Sequence, residues 1–174
     1  MPAETTMVIL HPFSLWSYKE WREEGWIRLM KDLIQFPSRS VVIIGSLSDR
    51  ERISKMIKPF EFGVFNLAGK TSIGEIPELL GLSRLFIGVD SGIMHIAGAV
   101  GIPSIALFGP SSSLTWAPRN RFHTTVAMEM PCRPCRQKGC LGSEISQCLD
   151  QLSYEDVKKA VDAELKSAGS SIAG

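Results

Sequence analysis

The stretch that most constrains the fold runs from Leu85 to Gly101. Leu85-Phe86-Ile87-Gly88-Val89 is short and apolar, the pattern of a strand buried on both faces of a parallel sheet. It passes through Asp90-Ser91-Gly92 into Ile93, Ile96, Ala97 and Val100, which fall on one helical face. Ser91 suits an N-cap, and Gly92 leaves the N–H groups of the first turn uncovered. A helix start at the C-terminal edge of a parallel sheet invites an anion, because free N–H groups and the macrodipole both point at it. His95 follows Ser91 by one turn, and helix side chains lean toward the N-terminus, so His95 leans back toward the same place. A plain strand–turn–helix with a surface histidine satisfies the same spacing, and spacing alone leaves both readings open.

The rest of the chain repeats this unit. Strands are expected at Met7–His11, Ser40–Gly45, Gly63–Leu67, Ser104–Phe108 and Phe122–Ala127. Helices are expected from Lys19 to Gln35, with Trp26, Ile27, Met30, Leu33 and Ile34 on one face, and from Arg50 to Lys58. Ser72 and Glu75 have capping-box spacing and should open a helix running to about Leu82; Ser153 to Asp156 should cap a last one carrying Val157, Val161 and Leu165. Alternating strands and helices mean βαβ units, a parallel sheet, and ligand loops at the C-terminal edge of the strands. Residues 7–167 read as one domain, residues 1–6 as a linker or added start, and residues 168–174 as a fraying tail.

Over 174 residues, 19 Lys and Arg stand against 18 Asp and Glu, a formal net charge of +1. That balance gives no support for a nucleic-acid surface. No apolar run reaches transmembrane length and no signal peptide precedes the first strand, so the chain reads as cytoplasmic, with any membrane association peripheral.

Asp90-Ser91-Gly92-Ile93-Met94-His95-Ile96-Ala97, followed by Gly101-Ile102-Pro103-Ser104-Ile105-Ala106-Leu107-Phe108-Gly109-Pro110, closely resembles the donor-nucleotide motif of glycosyltransferase family 9, the ADP-heptose:lipopolysaccharide heptosyltransferases. The resemblance covers nearly the whole chain, from about Val8 to the last helix. It implies an α/β, Rossmann-like three-layer sandwich with a mainly parallel sheet, the C-terminal, donor-binding half of a GT-B glycosyltransferase. It implies transfer of heptose from ADP-heptose, with inversion, to a lipopolysaccharide core acceptor bound by an N-terminal domain that also supplies the general base. The fragment would then bind donor but not turn over alone, with the full enzyme peripheral at the inner face of the inner membrane. Two other readings stay open: a stand-alone nucleotide-binding module, and half of a GT-B nucleotide-sugar epimerase.

The resemblance assigns Ser14 and Lys19, in the loop His11 to Trp21, to the donor diphosphate. A lysine at a helix start is badly placed unless it is solvated or meets an anion. The family usually has glycine at the position of Phe13, which weakens the expectation of backbone contacts there. In the loop Gly45 to Glu51, Asp49 and Glu51 are candidates for a ribose hydroxyl, with ordinary helix-start acids the readier reading. The loop Leu67 to Ser72 mimics the end of a Walker motif, but Val64 stands where its first glycine belongs, and that reading fails. The resemblance instead places Thr71 and Ser72 beside the base.

No Asp-x-Asp pair is present to hold a divalent metal, and no cofactor is expected. Lys19, His95, the Ser91 hydroxyl and the N–H groups of Gly92 and Ile93 would meet the charge on the departing diphosphate. Asp90 would orient the loop or meet donor hydroxyls. Cys132, Cys135, Cys140 and Cys148 leave three readings open: packed free thiols, a metal held by thiolates, or disulfides formed after purification. His11 and His123 read as structural; Trp116 reads as core packing, with a wall of the sugar pocket as the other reading. No GxGxxG follows the first strand and no nucleophile elbow is present.

Overall fold

The apolar runs assemble into one six-stranded parallel sheet in a computed structural model that describes residues 6–167. The elements are β1 (Thr6–His11), α1 (Glu23–Leu33), β2 (Arg39–Ile43), α2 (Arg50–Met56), β3 (Val64–Asn66), α3 (Ile76–Gly81), β4 (Leu85–Val89), α4 (Gly92–Val100), β5 (Ser104–Leu107), α5 (Ser113–Trp116), β6 (His123–Val126), α6 (Gln147–Asp150) and α7 (Tyr154–Ser167). The expectations for residues 1–5 and 168–174 lie outside the described residues. Thr6, expected in the linker, is the first residue of β1.

The strand order is β3-β2-β1-β4-β5-β6. Strand β1 pairs with β2 from Thr6↔Arg39 to Leu10↔Ile43, and with β4 from Val8↔Leu85 to His11↔Gly88. The chain winds outward from β1 on one side and from β4 on the other, so their C-terminal ends form the switch point where doubly wound sheets bind ligands. The two edge strands are short: β3 pairs with β2 over Val64 to Asn66, and β6 spans His123–Val126.

Alternation along the strands divides the core. Val8, Leu10, Val41, Ile43, Leu85 and Ile87 face α1, α2 and α7, where Trp26, Met30, Ile53 and Val157 are buried. Ile9, Val42, Ile44, Phe86 and Phe108 face α3 and α4. All five residues of β4 are buried, as its unbroken apolar run requires.

Three helix readings need correction. Helix α1 begins at Glu23, and Lys19 ends a separate 3-10 turn, Ser17–Lys19. Ser72 and Glu75 close the turn before α3, which begins at Ile76 with Pro77 in its first turn. On α4, Met94 and Ala97 are fully buried while Ile93, Ile96 and Val100 only flank the core, so the buried stripe is centred one position off the expected face. Gly101 ends α4 in the left-handed region at φ 80°, its N–H on the Ala97 carbonyl, a position that favours glycine.

Candidate functional site

A cleft of about 860 Å³ opens at the switch point. Its floor and walls come from the loops after β1, β2, β3 and β4, with Trp116 of α5 at the rim. Lys19, Asp90, Ser91, Gly92, Ile93 and His95 all line it.

At the start of α4, Ser91 holds the N-cap position with extended backbone, φ −152° and ψ 169°. Its hydroxyl does not cap the helix, contrary to expectation; it lies 3.2 Å from His11 Nδ1. The third helical residue is the buried, apolar Met94, so no carboxylate closes the turn either. The first N–H groups of α4 therefore face the cleft without a side-chain cap, and an added Cβ at Gly92 would meet nothing within 4 Å. This is the geometry that takes an anion.

His11 was expected to be structural only, yet it ends β1 on the wall of the cleft and pairs with Ser91. Burial pushes its pKa down to about 4, against a smaller opposing pull from Asp49, so the imidazole is neutral at pH 7. A neutral ring leaves the anion site without a fixed charge at this point.

The fixed charge comes from Lys19. Its Nζ donates to Asp90 Oδ2 at 2.7 Å, and the Ser111 hydroxyl donates to the same oxygen at 2.5 Å. Asp90 is only 6% exposed, so the carboxylate depends on these partners. The repulsion that a carboxylate would offer a phosphate is offset within the site, because the lysine beside Asp90 neutralises it. An ammonium has three N–H donors, and the pair with Asp90 uses one.

The loop after β1 is braced from outside the cleft. Phe13 is buried, and the Arg52 guanidinium lies 3.9 Å from its ring centroid. Arg52 binds Glu20 and Glu23, each at 2.6 Å, and Glu20 Oε1 accepts the Ser14 N–H at 3.1 Å. That N–H is committed to Glu20, while Ser14 lines the cleft.

The neighbouring loops are closed on themselves. Asp49 lines the cleft, but its Oδ2 accepts the Ser46 N–H at 2.8 Å and the Ser46 hydroxyl at 2.5 Å. Glu51 is exposed, pairs with Lys55, and does not line the cleft, which removes it as a candidate. Its carboxyl sits below its ordinary range because Lys55 hydrogen-bonds it. Thr71 lines the cleft; Ser72 does not, its N–H and hydroxyl both turned to Glu75 at 2.7 Å.

His95 is exposed on the cleft side of α4. His123 lies behind it, its Nδ1 2.9 Å from the Ser104 hydroxyl; burial first, then nearby His95, lowers its pKa. Trp116 is 55% exposed at the rim, which corrects the core reading. The four cysteines are unpaired; Cys132 is exposed and Cys148 buried under Gly109. Among the described residues no three His, Cys, Asp or Glu side chains are disposed to hold a metal ion. Nor is any helix among them long and apolar enough to cross a membrane.

Sequence reasoning missed Ser111, Glu20 and Trp16. Glu20 stands one residue from Lys19, and the Gly109-Pro110-Ser111 turn follows β5. Glu20 could have been flagged as a polar group beside Lys19, whereas a serine after Gly-Pro carries no such signal. Their partners, however, are set by tertiary packing.

Comparison with known proteins agrees with this geometry. The model of the family described as glycosyltransferase family 9 (heptosyltransferase) matches residues 1–145. The chain is 27% identical over 139 residues to lipopolysaccharide heptosyltransferase 1 of Pseudomonas aeruginosa, covering 80% of this chain and 38% of that protein. Among solved structures it is similar to the Escherichia coli ADP-heptose lipopolysaccharide heptosyltransferase II, with a TM-score of 0.81 at 24% identity, over 97% of this chain and 49% of that one. It is also similar in fold to an E. coli heptosyltransferase solved with ADP, with a TM-score of 0.73 at 19% identity, over 93% of this chain and 45% of that one. The chain spans less than half the length of the curated relatives it matches.

Proposed function

The chain belongs to glycosyltransferase family 9, the heptosyltransferases, and from that premise we propose that its cleft binds the diphosphate of a nucleotide sugar, ADP-heptose, as the donor half of an enzyme of lipopolysaccharide core synthesis. The observation that carries the reading is the uncapped start of α4, with Lys19 beside it in the same cleft.

In an inverting transfer the bond from the anomeric carbon to the diphosphate oxygen breaks as an acceptor hydroxyl attacks from the opposite face. The diphosphate leaves with the electron pair and the hydroxyl proton goes to a base. Charge grows on the departing diphosphate, and donors already in place stabilise it without reorganising. Here the N–H groups of Gly92 and Ile93 and the free donors of Lys19 take that role. His95 stands one turn further along the helix. Asp90 holds Lys19 in position. Thr71 and Asp49 border the part of the cleft where the nucleoside would lie, across from Lys19. The base and the acceptor site belong to the other half of the enzyme, so the isolated chain binds donor and transfers no sugar.

Calorimetry of this chain with ADP, UDP, GDP and ADP-heptose tests the reading. ADP and ADP-heptose should bind with and without EDTA, because the cationic partner is a protein side chain. If no nucleoside diphosphate binds, or if ADP binds only with added divalent metal, the proposal is wrong.

A further inference from the structure

The geometry points to Ser111 as a positioning residue for the donor diphosphate, acting through Asp90 on Lys19; the inference rests on the diphosphate reading above. Ser111 is 9% exposed and is not among the residues that line the cleft. It touches the site through one contact, the 2.5 Å hydrogen bond to Asp90 Oδ2, the oxygen that also receives Lys19 at 2.7 Å.

A buried carboxylate with unfilled lone pairs draws in whatever donors are near. The donors available to Asp90 are the Ser111 hydroxyl and the Lys19 ammonium. While Ser111 fills one acceptor direction, one lysine N–H suffices for the rest, and the other two remain for an anion. Without that hydroxyl, Asp90 takes a larger share of the lysine, and a bound diphosphate must compete for it.

The hydroxyl is fixed in place from behind. The Arg136 N–H donates to the Pro110 carbonyl at 2.9 Å, and the Arg133 Nε to the Gly109 carbonyl at 2.7 Å. Gly109 packs so closely on Leu149 that an added Cβ would lie 2.4 Å from that side chain. The segment between β6 and α7 thereby clamps the Gly109-Pro110-Ser111 turn against the switch point. Preorganised donors of this kind are what hold a first contact in its productive place.

The test measures ADP and adenosine affinity for wild type, Ser111→Ala and Ser111→Thr. Ser111→Ala should bind ADP about five-fold more weakly, because the loss acts on the phosphate only through Lys19, with adenosine affinity unchanged and Ser111→Thr restoring ADP. A second readout needs no nucleotide: acylation of Lys19 by a water-soluble anhydride, followed by mass spectrometry, should slow in Ser111→Ala because the ammonium is held harder. Should Ser111→Ala fail to fold, Ser111→Cys keeps the shape with a weak donor and should show the same losses. The inference is overturned by ADP affinity equal to wild type, by parallel losses for ADP and adenosine, by failure of Ser111→Thr to rescue, or by an unchanged acylation rate. A wild-type chain that binds no nucleoside diphosphate overturns the proposed function, and the acylation rates then decide the link from Ser111 to Lys19 separately.

Discussion

Four helical starts in this molecule can be set side by side, and one differs. At the turn before α2, Ser46 and Asp49 bind each other; before α3, Ser72 and Glu75 do; before α7, Ser153 and Asp156 do, with the Asp156 N–H on the Ser153 hydroxyl at 3.1 Å. Each pair satisfies its turn locally and puts a carboxylate where the helix dipole favours one. At α4 the serine is present but the acid is not: Met94 fills its place, and the Ser91 hydroxyl turns to His11. The difference teaches that an anion site can be made by withholding a cap. Three turns close on a carboxylate of their own, and in the proposed function the start of α4 leaves that place to the donor's diphosphate.

The largest effect that would test this contrast lies in His11, the group that takes the Ser91 hydroxyl. Its pKa is about 4 in the folded chain against an ordinary value of 6.5, so between those values the unfolded chain binds a proton that the folded chain refuses. Stability is therefore complete above about pH 6.5 and falls as pH drops toward 4, by a total on the order of 3 kcal/mol. His11→Asn should flatten that limb in denaturant titrations; equal limbs in both proteins would remove His11 from the account. Next comes Lys19→Ala. A charge-assisted hydrogen bond contributes roughly 1.5–3 kcal/mol, so ADP affinity should fall about ten-fold or more while adenosine affinity holds. Equal losses for the two ligands would detach Lys19 from the phosphate.

Gly92→Asp supplies the acid that α4 lacks, in space where an added Cβ meets nothing. It should raise stability by about 0.3–1 kcal/mol and lower ADP affinity roughly ten-fold, through like-charge repulsion. An ADP affinity that survives would mean the anion sits elsewhere. Ser153→Ala is the control on the other side of the contrast: about 1 kcal/mol of stability lost on thermal melting, with ADP binding untouched. The smallest effect is His95→Ala, expected to weaken ADP about three-fold with an unchanged melting temperature, since His95 is exposed and outside the core. A drop in melting temperature with full affinity would reverse its role.

The failure of Ser91 to cap α4 was not legible in the sequence, since a serine before a helix reads as an N-cap until the sheet brings His11 to it. The turns at Ser72 and Ser153 were legible, because Ser-x-x-acid spacing is local. The strands were legible for the same reason; β4 follows its apolar run residue for residue. What was not legible depends on distant partners. Lys19 meets Asp90 across 71 residues, and Ser91 meets His11 across 80. Ser111 gave no signal, since a serine after Gly-Pro looks like any turn residue until the sheet brings it to Asp90. Phe13 in place of the family's glycine speaks in sequence only to backbone contacts; that the ring is buried and that Arg52 stacked on it binds the same Glu20 that holds the Ser14 N–H depends on packing. The helix boundary near Lys19 failed because periodicity locates a helix face better than its first residue.

The shortness of the two outer strands carries a consequence for how this chain behaves in company. A parallel sheet built on continuous apolar strands is a ready template for adding a foreign strand at its margins. Here β3 offers only Val64 to Asn66 along one margin, where Phe65 is half exposed, and β6 only four residues along the other. An incoming chain finds too few unpaired backbone groups in a row to register against. The sheet is thus limited in width by its own last strands, and sequence changes that extend β3 beyond Asn66 would be expected to make that margin prone to lateral aggregation.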